Sequence, residues 1–439
     1  MIRQLWDIFS GDDARVAVDM REMIESVFKP FPWDARVTDW TGQSYMVGNG
    51  VPHWSGHKLL DIRIKTARAG RALLALDGMS FLEHFLDQDV DLTGNVYLLS
   101  EIRAYGGLKL RPWQVLVHRL RNSFFQDLAR AKASVKSHYD MVEGAHFYLD
   151  EVLRSHSCGF WERPHDLRIE DALTVGKGEG DATDTLEKAQ WRQRADSSDF
   201  LAPRPGDSVL DIGCGAGGFM RVLKQRCKVK TVVGWTHSAN QVKESLKMLE
   251  GFDGCEVNEG DYRQDERIYD HIHSTGMVCH VGPKGLVPYV KNVRRRIKTG
   301  GRYIHHCMMA APTGNPLFSY IGPAFNAKYI WPGFYFFSLG QHIKALEDNG
   351  FRVVKVLNLA PHYAKTARAW FERLLVQRER FVGLTNEATA RAFEVYLGGG
   401  AACFINRRVN LMRVYCEAID LNNPSLAQSD PSLIPYPKL

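Results

Sequence analysis

The residues best placed to do chemistry lie in one run, Val209-Leu210-Asp211-Ile212-Gly213-Cys214-Gly215-Ala216-Gly217-Gly218-Phe219. An apolar strand delivers an acid and then glycines, which let the backbone turn sharply and approach a ligand before a helix opens near Phe219. A dinucleotide site would also want an acid about 20 residues later for the ribose. The strand Thr231-Val232-Val233-Gly234-Trp235-Thr236 ends in no acid, which disfavours NAD. Carboxylate pairs, a Ser-His-Asp arrangement, a Walker motif and zinc-finger spacing are not evident.

Positioning such a turn takes a parallel sheet. Short apolar runs at Ser208 to Ile212, Thr231 to Trp235, His271 to Thr275 and Tyr303 to His306 alternate with helical stretches, the order of an α/β core covered on both faces. Upstream, residues 1–110 mix short strand-like and helical pieces with Gly and Pro punctuation, as a small α+β domain would. Residues 111–184 begin with Trp113, Val117, Leu120, Phe124 and Leu128 at helical spacing and end in a Gly-rich stretch, Gly176 to Gly180, read as a mobile loop. The main domain runs over 185–416, with further helical patterns in its last part, and 417–439 is a Pro-rich tail.

The Asp-x-Gly-x-Gly-x-Gly turn resembles the first motif of class I S-adenosylmethionine (SAM)-dependent methyltransferases. Further segments sharpen the likeness: Val232 to Gln241, Asp261-Tyr262-Arg263, His280-Val281-Gly282-Pro283-Lys284, Lys328 to Gly333 and His362 to Thr366. In that order they resemble cyclopropane-fatty-acid synthases and mycolic-acid methyltransferases. Ser137 to Asp140, His156 to Trp161, Tyr396-Leu397 and Ala401 to Phe404 extend the match over roughly 137–416. The resemblance implies a doubly wound Rossmann-like sheet with a helical lipid-binding insertion, around Phe318 to Phe337, whose aromatics Phe334 to Phe337 suit a tunnel wall or a buried strand.

What the resemblance implies chemically is methyl transfer from SAM to the double bond of an unsaturated phospholipid acyl chain, followed by loss of a proton to a bound bicarbonate. Motif by motif it assigns the cofactor to His156, Ser157, Asp211, Gly213, Gly215, Gly217, Thr236, Gln241, Asp261 and Tyr262. The bicarbonate site falls on Cys158, Cys279, His306 and Tyr396. Cys279 departs from the pattern: the family has Glu there, and a thiol is a weak donor and acceptor with a pKa near 8.5. His156 replaces a usual Tyr, and Ala216 a usual Trp. The cation left by methyl transfer then has three outcomes: closure to a cyclopropane, loss of a chain proton to give a methyl-branched or methylene product, or a different modification such as furan formation. A non-catalytic lipid-binding protein is the rival from another class.

Cys158, Cys279, His280, His305, His306 and Cys307 should converge near the sheet's carboxyl ends, where thiolate and imidazole could hold a soft metal. Packing roles are the preferred reading, and no metal ligand is assigned. The eight cysteines show no paired spacing and read as reduced thiols.

Composition fits these assignments. The chain has 439 residues, 45% hydrophobic and 24% charged, and no stretch approaches a membrane span. Glu101 to Lys136 holds eight bases against two acids, and Lys291, Arg294, Arg295, Arg296, Lys298 and Arg302 form an acid-free run. Such runs attract an anionic membrane surface, or are solvated helix faces. The expected protein is cytoplasmic and peripherally bound to the inner face of the membrane; nucleic acid is disfavoured as a partner, and the resemblance suggests a homodimer.

Overall fold

A computed structural model of the chain describes residues 12–50, 59–74, 78–101, 146–167, 183–311, 325–331 and 334–422. The basic stripe at 113–136, the Ser137 to Asp140 motif, the Gly-rich loop, the Phe318 end of the insertion and residues 423–439 of the tail lie outside the described residues, whereas β11 carries on into the expected tail as far as Ala418.

The N-terminal part contains α1 (Asp13–Phe28), β1 (Ala35–Thr38), β2 (Ser44–Val47), β3 (Leu60–Ile64), α2 (Ala67–Leu74), α3 (Gly78–Leu86) and β4 (Val90–Thr93). Its strands form a sheet in the order β2-β1-β3-β4, with β1 and β3 parallel. Alternate residues Val37, Tyr45, Val47, Leu60, Ile62 and Ile64 are buried and share an apolar cluster with Met20, Ile24 and Phe28 of α1.

The larger part carries α4 (Leu186–Leu201), β5 (Ser208–Ile212), α5 (Gly218–Cys227), β6 (Thr231–Thr236), α6 (Ala239–Met248), β7 (Cys255–Glu259), β8 (His271–Thr275), α7 (Leu286–Arg295), β9 (Arg302–Ala310), α8 (Leu339–Glu347), β10 (Phe351–Asn358), α9 (Ala360–Val376), α10 (Arg378–Leu384), α11 (Glu387–Ile405) and β11 (Val409–Ala418). The sheet order is β10-β11-β9-β8-β5-β6-β7, and β11 alone runs antiparallel to its neighbours. Strand order reverses at β5, which pairs with β6 on one side and β8 on the other. The crevice beyond such a reversal is where open α/β sheets bind ligands.

The four strands expected from apolar runs are present as β5, β6, β8 and β9. β10 and β11 replace part of the helical pattern expected near the C-terminus. β11 is buried along almost its whole length on both faces, which removes the alternation that marks a strand.

α9 and α11 join the apolar cluster of the N-terminal sheet. Arg391 of α11 donates 2.9 Å hydrogen bonds to the carbonyls of Phe85 and Val90 and to Asp91 Oδ1. The second basic run is structural. Arg296 is buried and donates to the Asp265, Asn292 and Arg263 carbonyls, Arg294 to those of Gly350, Ile297 and Ile419, and Lys298 pairs with Asp270. Arg294, Arg296 and Lys298 are therefore held by the fold, while Lys291 and Arg295 are exposed.

Candidate active site

The glycine turn sits where the sequence places it. Gly213, Gly215 and Gly217 all have left-handed φ, +78°, +57° and +79°. The N–H groups of Gly213 and Cys214 donate to the Trp235 carbonyl at 2.9 and 3.1 Å, locking β5 to the end of β6. A Cβ on Gly217 would lie 3.2 Å from Ser245 Cβ, whereas one on Gly215 would meet nothing within 4 Å. Open space over a backbone that only glycine adopts easily is what a cofactor lying on this turn requires.

Beneath the turn Asp211 is taken up by the protein itself. Its Oδ1 lies 2.8 Å from His273 Nδ1, and His273 Nε2 lies 3.0 Å from the Thr275 hydroxyl. Burial lowers the His273 pKa, so the neutral ring donates from Nδ1 to the carboxylate and accepts from Thr275. Thr236 and Gln241 are hydrogen-bonded to each other at the start of α6. Asp261 caps the 262–264 turn and binds the Arg263 guanidinium; burial raises its pKa, but the Arg263 bonds overcome this and hold it down at about 2. Tyr262 is buried edge-on against Tyr289, with ring centroids 5.9 Å apart.

The His156-Ser157-Cys158 segment leads to a second cluster. The His156 ring stacks on Trp370 at 4.9 Å and 5°, lies 5.7 Å from Trp331 and is nearly parallel to Tyr396 at 6.4 Å. His280 meets the other side of Trp331, and Phe334, at 5.3 Å. Burial pushes His156 down to about 3 and His280 to about 4, so both imidazoles are neutral. This aromatic enclosure joins four distant stretches of chain. Of the four consecutive aromatics, Phe334 faces it, Phe337 is in the core against His342, and Tyr335 is 39% exposed. They do not form a continuous wall.

The four residues expected around the base separate into different settings. Cys158 is fully buried with Sγ 3.1 Å from the Gly159 carbonyl, and burial raises its thiol pKa. Cys279 is buried with Sγ 3.5 Å from the Met308 carbonyl. Tyr396 belongs to the aromatic enclosure. His306, in the middle of β9 opposite Thr275 at the end of β8, accepts at Nδ1 from Arg413 Nε at 3.0 Å. Its Nε2 has no partner among the described residues.

Sequence reasoning missed the charges around His306. Arg413 is fully buried and paired with Asp196 at 2.6 Å. Arg194 donates to Ser157 Oγ at 3.0 Å, and burial lowers its pKa to about 10. Arg194 Nε and Nη1, Arg413 Nη2 and both amide atoms of Gln193 are buried without partners among the described residues. Together they make a buried, donor-rich wall near His306. A charge inside the apolar run Leu411 to Cys416 was the available signal for Arg413. For Arg194 there was none, because α4 turns Gln190, Gln193, Ser197 and Ser198 inward as well.

The expected convergence of cysteines and histidines is only partly realised. His306 faces Arg413, His280 lies among aromatics, and Cys158 lies against the Leu359 carbonyl. His305 and Cys307 instead gather with His342, which the sequence reading had not included.

A family model described as mycolic acid cyclopropane synthetase matches residues 126–414. The cyclopropane-fatty-acyl-phospholipid synthase of Escherichia coli (strain K12) is 31% identical over 289 residues, 66% of this chain and 69% of its own length. The hydroxymycolate synthase MmaA4 of Mycobacterium tuberculosis (strain ATCC 25618 / H37Rv) is 27% identical over 276 residues, 60% of this chain and 85% of its own. The structure of the cyclopropane synthase MmaA2 from Mycobacterium tuberculosis aligns with a TM-score of 0.59 at 23% identity, over 66% of this chain and 100% of that one. Mycolic acid cyclopropane synthase CmaA1, complexed with SAH and CTAB, aligns with a TM-score of 0.58 at 24% identity, over 65% and 98%. The two structures share the fold. With the glycine turn at the strand reversal and the family model covering most of the larger part, the chain belongs to the mycolic acid cyclopropane synthetase family, SAM-dependent methyltransferases of class I fold that act on lipid acyl chains.

Proposed function

We propose that the protein transfers a methyl group from SAM to the double bond of an unsaturated acyl chain of a membrane phospholipid. The observation that carries this reading is the aromatic enclosure of His156, Trp331, Trp370 and Tyr396, reached from the same chain segment as the donor-rich wall of Ser157 and Arg194. SAM supplies an electrophilic sulfonium methyl. Gly213, Gly215 and Gly217 would support it, with Thr236 and Gln241 beyond β6 and Asp261 and Tyr262 beyond β7. Asp211 would act from beneath, through His273. His156 and Ser157 would flank the transferred methyl.

Positive charge develops on the acyl chain as its double bond is alkylated, and ring faces attract cations at up to about 2 kcal/mol or more when desolvated. A neutral His156 adds no repulsion there. For the proton that must leave, the best-placed group is His306. Its Nδ1 accepts from Arg413, so Nε2 carries the hydrogen, and the ring can hold an anion but not itself take a proton. Bicarbonate would be that anion and the base, bound by His306 in the positive potential of Arg194 and Arg413.

Cys279 leaves the product open. One relative is a hydroxymycolate synthase, so rings are not the family's only outcome. The test is incubation of the full-length protein with SAM and vesicles of an unsaturated phospholipid, followed by mass spectrometry of the acyl chains. A gain of one CH₂ is expected, and ring analysis distinguishes cyclopropane from branched or methylene products. Unchanged chains in the presence of bound SAM would leave a lipid-binding role in its place.

Among the described residues no helix is long and apolar enough to cross a membrane. Reaching phospholipid would then fall to the bases between Arg103 and Lys136, which favour an anionic surface on the cytoplasmic side.

A further inference from the structure

His305 and Cys307 alternate with His306 along β9 and therefore lie on the opposite face of the sheet from Arg413. There they meet His342 of α8, and all three side chains belong to residues no more than 1% exposed. Cys307 Sγ lies 3.8 Å from His305 Nε2 and 3.9 Å from His342 Nε2, and His305 Nε2 lies 2.9 Å from His342 Nδ1. The surroundings are apolar or aromatic: Val278, Met309, Phe337, Ala345 and Leu346. Three ligand-type groups are thus sealed in one apolar core with no carboxylate or ammonium among them, hydrogen-bonded to one another.

Spacing and chemistry agree on what they suit. Zinc bonds of about 2.3 Å to sulfur and 2.0–2.1 Å to nitrogen put sulfur and nitrogen about 3.6–3.8 Å apart at tetrahedral to trigonal angles. His305 also has the support a ligating imidazole needs: its Nδ1 lies 2.8 Å from the Tyr303 hydroxyl, which is 2.9 Å from that of Tyr289, so Nε2 is turned toward the cluster.

We propose that His305, Cys307 and His342 bind a borderline-soft divalent cation of the zinc type. On binding, the Cys307 thiol loses its proton to solvent and forms a metal–sulfur bond. The hydrogen bond between the two imidazoles is replaced by two metal–nitrogen bonds. The ion would tie β9 to α8. This inference is independent of the methyl-transfer reading and survives its failure.

The test is titration of chelator-treated full-length protein with Co²⁺, followed by absorption, then competition with Zn²⁺. One ion per chain is expected, with tetrahedral visible bands and a thiolate charge-transfer band that Zn²⁺ abolishes. Cys307→Ser should lose that band and His342→Gln should weaken binding more than about tenfold. Cys416→Ser, which alters a buried thiol on neighbouring β11, should change neither. A wild-type protein giving no band, or a band that persists in Cys307→Ser, overturns the site. If Cys307→Ser does not fold, X-ray absorption of the Zn²⁺-loaded wild type decides: sulfur and imidazole neighbours support the proposal, and an oxygen-only shell overturns it.

Discussion

Arg413 Nε donates to His306 Nδ1 across directly paired positions of β11 and β9, so a fully buried cation sets which nitrogen of the histidine carries hydrogen. Burial, reinforced by the guanidiniums of Arg413 and Arg194, holds His306 far below its ordinary pKa, and the ring stays neutral. Replacing Arg413 with Met frees the tautomer and leaves Asp196 without its 2.6 Å partner. A stability loss of about 1–3 kcal/mol is expected by urea unfolding, because Asp196 is part-exposed and keeps its 2.7 Å bond from Tyr415. Turnover should fall while affinity for S-adenosylhomocysteine changes little; equal loss of both would place Arg413 in cofactor binding instead.

Two glycines of the turn should answer differently to alanine. Gly217→Ala combines left-handed backbone with a Ser245 contact, and should cost at least about 1–2 kcal/mol of stability. Gly215→Ala meets no protein atom and carries only the backbone strain, yet its methyl projects into the space assigned to SAM. Calorimetry should show weaker cofactor binding for Gly215→Ala than its stability loss explains. Undiminished affinity would move the cofactor off this turn.

Legibility in the sequence followed the physics of each element. The Gly213 to Gly217 turn could be read because conformation dictates residue type there, and β5, β6, β8 and β9 because short apolar runs separated by helices have few other readings. β11 could not be told from helix, being buried on both faces. His273, which occupies Asp211, lies in an unremarkable strand, and the enclosure around His156 joins Trp331, Trp370 and Tyr396 from separate segments. Only tertiary packing brings such residues together. Cys279 was found by resemblance alone; no spacing rule distinguishes it from a packing cysteine.

Position 279 should govern the fate of the cation. Cys279→Glu is expected to shift the product toward cyclopropane, measured by ring analysis of extracted fatty acids. Because the new carboxylate is buried, a stability loss of several kcal/mol should accompany it. An unchanged product distribution would show that proton removal is controlled elsewhere.

Acid should destabilise the fold well above the carboxylate range. His146, His280 and His342 are pushed by burial to about 4 and His156 to about 3. The unfolded chain therefore binds more protons below about pH 6.5, and stability is lost as pH falls, by up to about 1.4 kcal/mol per pH unit for each such histidine. Thermal midpoints should be flat above about pH 7 and decline from 6.5 toward 4. A midpoint constant down to pH 4.5 would contradict neutral burial of these rings.

Vesicle binding should require anionic lipid and weaken as salt rises, since charges beyond about 10 Å are screened at 0.1 M. Co-sedimentation at increasing ionic strength checks this. Equal binding to neutral and anionic vesicles at all salt concentrations would remove the role assigned to the basic stripe.

The most direct test of the central claim is to feed cells producing the protein methionine deuterated in its methyl group and to analyse their phospholipid acyl chains by mass spectrometry. The account predicts label in chains that were unsaturated, with one deuterium lost if a ring closes and none lost if the proton leaves the chain. Acyl chains free of label, beside labelled SAM in the same cells, would contradict it.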